Sequence, residues 1–251
     1  MQQAWGRLWQ KMGIRAARQA WGLAPAGQAW ALVGVARHES DLWRVQVATW
    51  LTPPAGVPVV DASWLSQALS DVPRPKAGTR HRLAMGMPEQ NLVAGQMTCP
   101  VDVPQETWPV EVQLEVAQAL NLPPEDVNFD FEPEALGTGA VHQIRWVGCA
   151  RALVVDYQRW IGAAHGWHLS CVEPEIAAAR RAAQALVGGL PSLLQQAPQD
   201  WQFRLGSDKE SGDLHDDGMA GVHWERVFQE ALASPAGPRL VASGLALKAW
   251  T

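Results

Sequence analysis

The chain has 251 residues, a net charge of −5 and 47% hydrophobic residues, which suits one or two folded domains and excludes a disordered chain. The acidic balance argues against bulk nucleic-acid binding, and no apolar run is long enough to span a bilayer. Three well-separated cysteines give neither a disulfide framework nor a zinc ribbon, so a reducing compartment is expected.

Residues 1–29 differ from the rest because they carry a charge of +4 and no acidic residue. Their large apolar residues recur every three or four positions, which predicts an amphipathic helix that Pro25 and Gly27 end. Tryptophan and basic side chains on such a helix suit a membrane surface. The alternative is an ordinary extension that packs on its own domain. The residues predicted to lie among lipid headgroups are Trp5, Arg7, Trp9 and Lys11.

The next part of the chain reads as strands and helices in alternation. Apolar runs predict strands over 30–35, 43–50 and 82–87, with a helix over 61–70 between the second and third. A mixture of this kind is typical of an α/β or mixed α+β protein.

A regular helix is predicted over residues 108–120. Asp102 and Gln105 resemble a capping box ahead of it. Its apolar residues recur at intervals of four, which places them on one face. Those residues are Trp108, Val112, Val116 and Leu120.

The rest of the chain continues the mixed pattern. Strict alternation predicts a half-buried strand over 127–132. The other predicted elements are strands over 141–149, 167–172 and 201–205, and helices over 152–164, 174–187 and 222–232.

Residues 97–132 resemble the PilM family of type IV pilus assembly proteins. The family pattern P-x-x-E-V-N-x-D-F is closely similar to residues 124–131, PEDVNFDF. Residues 242–248, ASGLALK, resemble the terminal helix pattern A-x-G-L-A-L-[RK] of the family. The order of the predicted strands and helices also agrees over residues 80–187.

The resemblance implies a reduced actin-like fold built on RNase H-like topology. Residues 30–187 would form the first half, with a small subdomain inserted at about 89–140. Residues 188–251 would form a truncated second half and a C-terminal helix. Family members bind ATP in the cleft between the halves. They lie on the cytoplasmic face of the inner membrane and hold the short cytoplasmic N-terminal tail of PilN, a single-span membrane protein.

The sequence departs from the family where phosphate would bind. The family pattern G-x-D-x-G-[ST]-[ST]-x-x-[KR] is compared with residues 34–43. Starting at Gly34, Ala36 replaces the acid, His38 replaces the second glycine, and Glu39 adds a negative charge. These changes oppose anion binding. The only D-x-G sequence, residues 216–218, falls in an acidic stretch with no apolar strand before it.

We therefore predict a non-catalytic adaptor for type IV pilus assembly or DNA uptake, cytoplasmic and peripheral to the inner membrane. We expect no metal and no cofactor, since the degenerate phosphate loop argues against ATP. The adaptor would bind the tail of a PilN-like protein in a groove between the first half and the inserted subdomain. The predicted partner-binding residues are Trp108, Val112, Val116 and Leu120, which could alternatively be plain core.

Two other functions remain open from the sequence. One is an actin-like ATPase of the same machinery that retains nucleotide binding. The other is a peripheral membrane protein anchored by its N-terminal amphipathic helix.

Overall fold

A computed structural model describes residues 19–56, 64–72, 81–100, 102–134, 141–205, 218–248 and 250, with the side chains of 194 and 218–222 left out. Within these ranges the strands are β1 (Gln19–Ala26), β2 (Ala29–Arg37), β3 (Leu42–Leu51), β4 (His81–Met87), β5 (Val93–Pro100), β6 (Val127–Pro133), β7 (Val141–Ala150), β8 (Trp167–Pro174) and β9 (Gln202–Arg204). The helices are α1 (Trp64–Ser70), α2 (Trp108–Leu120), α3 (Arg151–Gly162), α4 (Glu175–Ala185), α5 (Gly189–Gln195), α6 (Gly218–Ala233) and α7 (Gly237–Lys248).

The larger sheet has six strands in the order β8-β4-β1-β2-β3-β9. The first three strands pair antiparallel, while β4 pairs parallel to β1 and β8 parallel to β4. This is the order that an RNase H-like first half requires. Strand β2 is almost entirely apolar because helices cover both faces of the sheet.

The N-terminal boundary differs from the prediction. Residues 19–26 form the central strand β1 instead of the end of an amphipathic helix, and Gly27 with Gln28 turns the chain into β2. The first half therefore begins by residue 19, and the predicted boundary at 29 is wrong. The sequence pattern did not indicate this strand because most residues of β1 are small and give only a weak apolar signal. Pro25 is tolerated in this strand close to the turn.

A three-stranded antiparallel sheet, in the order β5-β7-β6, forms the inserted subdomain. Helix α2 packs on one face of it. Because β7 pairs with β5 and β6 along its whole length, it belongs to the subdomain, which extends to residue 150 and not to 140. The predicted capping box does not form, since α2 begins after Thr107 without a side-chain cap.

Two buried clusters lie on the two faces of the six-stranded sheet. Helices α1 and α3 cover one face. Helices α4 to α7 cover the other, where Phe203 of the edge strand β9 joins the same cluster. The described part of residues 188–251 therefore packs back onto the first half, adding β9 to its sheet edge, and does not form a separate lobe.

Helix α7 lies unusually close to its neighbours. A Cβ atom on Gly22 of β1 would lie 1.9 Å from the carbonyl oxygen of Ala242, and one on Gly244 would lie 1.7 Å from that of Ala178 in α4. Residues 240–247 of this helix are all buried. The two glycines let backbone meet backbone at both contacts, which seals the C-terminal helix between β1 and α4.

This packing predicts that Gly244→Val destabilises the protein by about 3 kcal/mol, because the larger side chain overlaps backbone that cannot move aside. Thermal unfolding followed by circular dichroism measures the loss. The control is Gly162→Ala at the end of α3, where an added Cβ meets nothing within 4 Å. Equal stability of the two variants would show that the helix does not sit this closely.

Candidate partner-binding groove

An open groove of about 790 Å³ lies between the inserted subdomain and the six-stranded sheet. One wall is β6 with the adjoining part of β7, and the other is the C-terminal part of β8. Within the described residues, β6 pairs only with β7 and β8 only with β4. The groove therefore runs between two strand edges that have no strand partner in this part of the chain.

The apolar parts of the walls come from all three buried clusters. Phe129 and Phe131 on β6 stack with their ring centroids 6.5 Å apart. Leu169 and Val172 on β8 face them from the other wall. All four side chains are partly buried, which leaves apolar surface accessible to an incoming chain.

The hydrogen bonds of β6 show which of its main-chain groups face the groove. Glu134 N–H donates to the Gln143 carbonyl of β7 at 2.8 Å, and the register continues to Asp130 opposite Val147. Bonding alternates along an antiparallel pair, so Phe129 and Phe131 direct their N–H and C=O groups away from β7. The Phe131 N–H donates instead to Oδ1 of Asp130 at 2.9 Å.

Ion pairs occupy both walls. Arg181 donates to both carboxylate oxygens of Glu173, at 2.5 and 2.9 Å, and to the Gly244 carbonyl at 2.9 Å. The pair is mostly buried, with 20% of the arginine and 10% of the glutamate side chain exposed. On the other wall Arg145 pairs with Glu132 and Glu134. These charges compensate each other, so the groove favours neither sign strongly.

Two cysteines line the groove but are poor nucleophiles. Burial raises the pKa of the Cys149 thiol. Burial also raises the pKa of Cys171, with a further contribution from the charge of Glu173. A thiol with a raised pKa stays protonated at neutral pH and reacts slowly. Neither thiol is therefore activated as a nucleophile in this groove.

The predicted partner-binding residues are not in this groove. Trp108, expected to be partly exposed, is 3% exposed and packs against His142. Val112 and Val116 are fully buried, and Leu120 packs partly buried in the same subdomain core. Their spacing of four residues correctly predicted a single helix face, but that face covers the three-stranded sheet.

The stretch compared with a phosphate loop also lies elsewhere. Gly34 and Ala36 are inside β2, while His38 and Glu39 lie in the exposed turn between β2 and β3. The comparison of residues 34–43 with a phosphate loop is wrong because another strand, β1, precedes β2. The first strand and first turn of the fold are β1 and Gly27–Gln28, so the counterpart of the phosphate loop is residues 22–29.

This first described turn differs in its side chains from the phosphate-loop pattern of the family. Residues 22–29, GLAPAGQA, contain no acidic, basic or hydroxyl side chain. The hairpin loop has two residues, with Gly27 at a φ of +61°, which is the glycine-first turn common in tight hairpins. It is a plain strand connection.

Other predicted features fall outside the described residues, namely Trp5, Arg7, Trp9 and Lys11, and Asp216 with Asp217. In the part that is described, no helix is both long and apolar enough to cross a membrane. The described residues also hold no group of three or more His, Cys, Asp or Glu arranged to bind a metal.

No family model matches the sequence, and no curated protein matches it significantly. Among solved structures, the PilM–PilN type IV pilus biogenesis complex is similar, with a TM-score of 0.51 and 18% identity over 66% of this chain and 52% of that chain. The cytoplasmic domain of EpsL, an inner membrane component of the type II secretion system of Vibrio cholerae, has a TM-score of 0.43 and 12% identity, covering 64% of this chain and 58% of that one. A Bacteroides thetaiotaomicron protein with an actin-like ATPase fold has a TM-score of 0.33 and 6% identity, covering 68% and 59%.

The first of these similarities, with the strand order, confirms the predicted mixed α/β fold class and shows that part of this chain shares the fold of the PilM–PilN chain. The chain matches about half the length of the PilM–PilN chain. At this identity the likeness concerns the fold, and the partner and role of that complex bear on this chain only as a proposal.

A buried carboxylate lies beside the groove at the start of α4. Glu175 Oε1 is buried and has no hydrogen-bond partner among the described residues. The Cγ of Glu175 would lie 2.9 Å from a Cβ on Gly86 near the end of β4. Burial, together with the charge of Glu89, raises the pKa of Glu175 to about 7. The folded protein therefore holds this proton more tightly than the unfolded chain does.

Because the pKa of Glu175 is raised on folding, stability falls as pH rises from about 4.5 to about 7. We expect Glu175→Gln to be more stable than wild type at pH 8 by about 1 kcal/mol, a value reduced for partial solvent exposure. At pH 4 the two proteins should be equally stable. Urea unfolding at both pH values measures this.

The control is Glu106→Gln, at an exposed glutamate on the surface of the subdomain. It should leave the pH dependence of stability unchanged. A Glu175→Gln protein that is less stable than wild type at pH 8 would contradict the assignment.

Proposed function

We propose that this protein is a non-catalytic adaptor of a type IV pilus or related secretion machine, which holds an extended cytoplasmic tail of an inner-membrane protein in the groove. The observation that carries the proposal is the pair of unpartnered strand edges, β6 and β8, that face each other across the groove. An extended segment could pair with one edge by main-chain hydrogen bonds and place alternate side chains on apolar surface.

The β6 edge suits such pairing. The outward groups of Phe129 and Phe131 are spaced two residues apart, as the donors and acceptors of an added strand are. In the free protein the Asp130 side chain accepts a hydrogen bond from the Phe131 N–H. This contact protects the strand edge against unspecific pairing with other strands. A tail would replace this contact with a main-chain carbonyl.

The similarity to the PilM–PilN complex supports the kind of partner. That complex comes from type IV pilus biogenesis, and this chain is similar to it in fold over 66% of its own length. We propose a PilN-like single-span protein as the partner, and a position for this protein at the cytoplasmic face of the inner membrane. Pilus assembly and DNA uptake use the same kind of adaptor and are both consistent with it.

The proposal of a non-catalytic role rests on the first turn and on the C-terminal part of the chain. The turn at Gly27 lacks the side chains that an actin-like ATPase uses, and the described residues after Leu186 brace the first half. We therefore expect this protein to act through binding alone.

The position of Phe131 in the groove predicts that Phe131→Ser weakens binding of the tail. The full chain, used as bait on solubilised inner membranes, should capture a single-span protein with a short cytoplasmic tail. A synthetic peptide of that tail should bind the wild type, and Phe131→Ser should weaken binding at least about tenfold, or about 1.4 kcal/mol, because the variant loses apolar wall. Isothermal titration calorimetry gives both dissociation constants.

The matched control is Val155→Ser, which removes a 49% exposed apolar side chain of α3 that does not line the groove. It should bind the peptide like wild type. Equal affinities for Phe131→Ser and Val155→Ser would place the tail on another surface.

A second prediction concerns nucleotide. Titration of the full chain with Mg-ATP should show no binding tighter than about 1 mM, because the first turn offers no group to hold phosphate or magnesium. An actin-like ATPase titrated in the same buffer serves as the positive control. A micromolar dissociation constant would contradict the non-catalytic reading and favour a working ATPase.

A further inference from the structure

The outer face of α2 presents apolar side chains to solvent. Val110 is 56% exposed and Leu114 is 50% exposed. They are four residues apart, so they lie on one face of the helix, opposite the buried face that covers the subdomain sheet. About half of each side chain is therefore accessible to a partner.

Acidic residues flank this apolar pair without compensation. Glu111 and Glu115 are exposed and, among the described residues, have no ion-pair partner. The charge of Glu111 also helps to raise the pKa of the nearby Cys99, after the larger effect of burial. Residues 83–141 contain ten acidic residues and no Lys or Arg. The face thus combines exposed apolar area with a strong local negative charge.

The chain itself contains a segment of complementary chemistry. Residues 1–18 carry four basic residues and no acid. Trp5, Leu8 and Trp9 recur at helical spacing, and Arg7 and Lys11 are four residues apart, the same separation as Glu111 and Glu115. Because the two pairs of opposite charges share this sequence spacing, the two surfaces are complementary in charge as well as in apolar content.

The place where this segment joins the fold favours docking on a second copy. Strand β1 begins at Gln19 level with the start of β4, whereas the subdomain leaves the sheet after the other end of β4. The segment and its own subdomain are therefore attached at opposite ends of the six-stranded sheet.

We infer that residues 1–18 of one copy bind the outer face of α2 in a second copy, with Trp5, Leu8 and Trp9 against Val110 and Leu114. Arg7 and Lys11 then lie beside Glu111 and Glu115. The contact is head-to-tail, since the two surfaces differ. It is separate from the tail-binding groove, so either proposal can fail without the other.

Sedimentation velocity of the full chain tests this inference. At about 100 µM protein in low salt the wild type should sediment faster than a monomer, and the shift should shrink between about 50 and 500 mM salt as the charges are screened. The double variant Glu111→Lys/Glu115→Lys should lower the association constant at least tenfold. The variant Arg7→Glu/Lys11→Glu should do the same.

Mixing the two double variants should restore association, because each reversed face then meets a segment of opposite charge. The control Glu125→Lys/Asp126→Lys changes exposed acids of the same subdomain outside the helix and should associate like wild type. A wild type that stays monomeric would overturn the inference. So would association that survives both double variants, or a mixture that fails to associate.

Discussion

The contact of α7 with β1 and α4 is the constraint on which the rest of the structure depends. Gly22 and Gly244 let the helix backbone touch the strand on one side and α4 on the other. Through these contacts α7 is fixed against β1. The described residues between α4 and α7 lie against the same face of the sheet, and β9 extends its edge.

The same closure shapes the groove. Arg181 on α4 links the Gly244 carbonyl of α7 to Glu173 near the end of β8, so the wall of the groove is fixed to the helix that seals the sheet. Breaking a mostly buried pair of this kind leaves an uncompensated charge, which is costly. The β8 edge is therefore a rigid wall that an incoming tail would meet preformed, and preformed sites lose less entropy on binding.

Most strands and helices were predictable because their periodicity reflects which faces are buried. The 108–120 stripe and the alternation over 127–132 both correspond to observed elements. Strand β1 was not predicted because its alanines and glycine are small and because a basic segment precedes it. Because β1 was missed, the phosphate-loop pattern was compared with β2 and the turn after it, instead of with β1 and the turn at Gly27. A groove between the first half and the subdomain was expected, but the residues that line it were missed for a different reason. The sequence shows that Phe129 and Phe131 alternate with polar residues, but only the pairing of β6 with β7 shows that this strand is an edge. Likewise Trp108 was predictable as helical, whereas its burial depended on the sheet beneath it.

The central claim, that the groove holds an extended tail along a strand edge, is tested most directly by hydrogen–deuterium exchange of the full chain with and without the tail peptide of its captured membrane partner. The account predicts slower exchange of the Phe129 and Phe131 amides on β6 and of the facing residues of β8, with α2 unchanged. Protection confined to α2, to β3 or to the turn at Gly27 would contradict it.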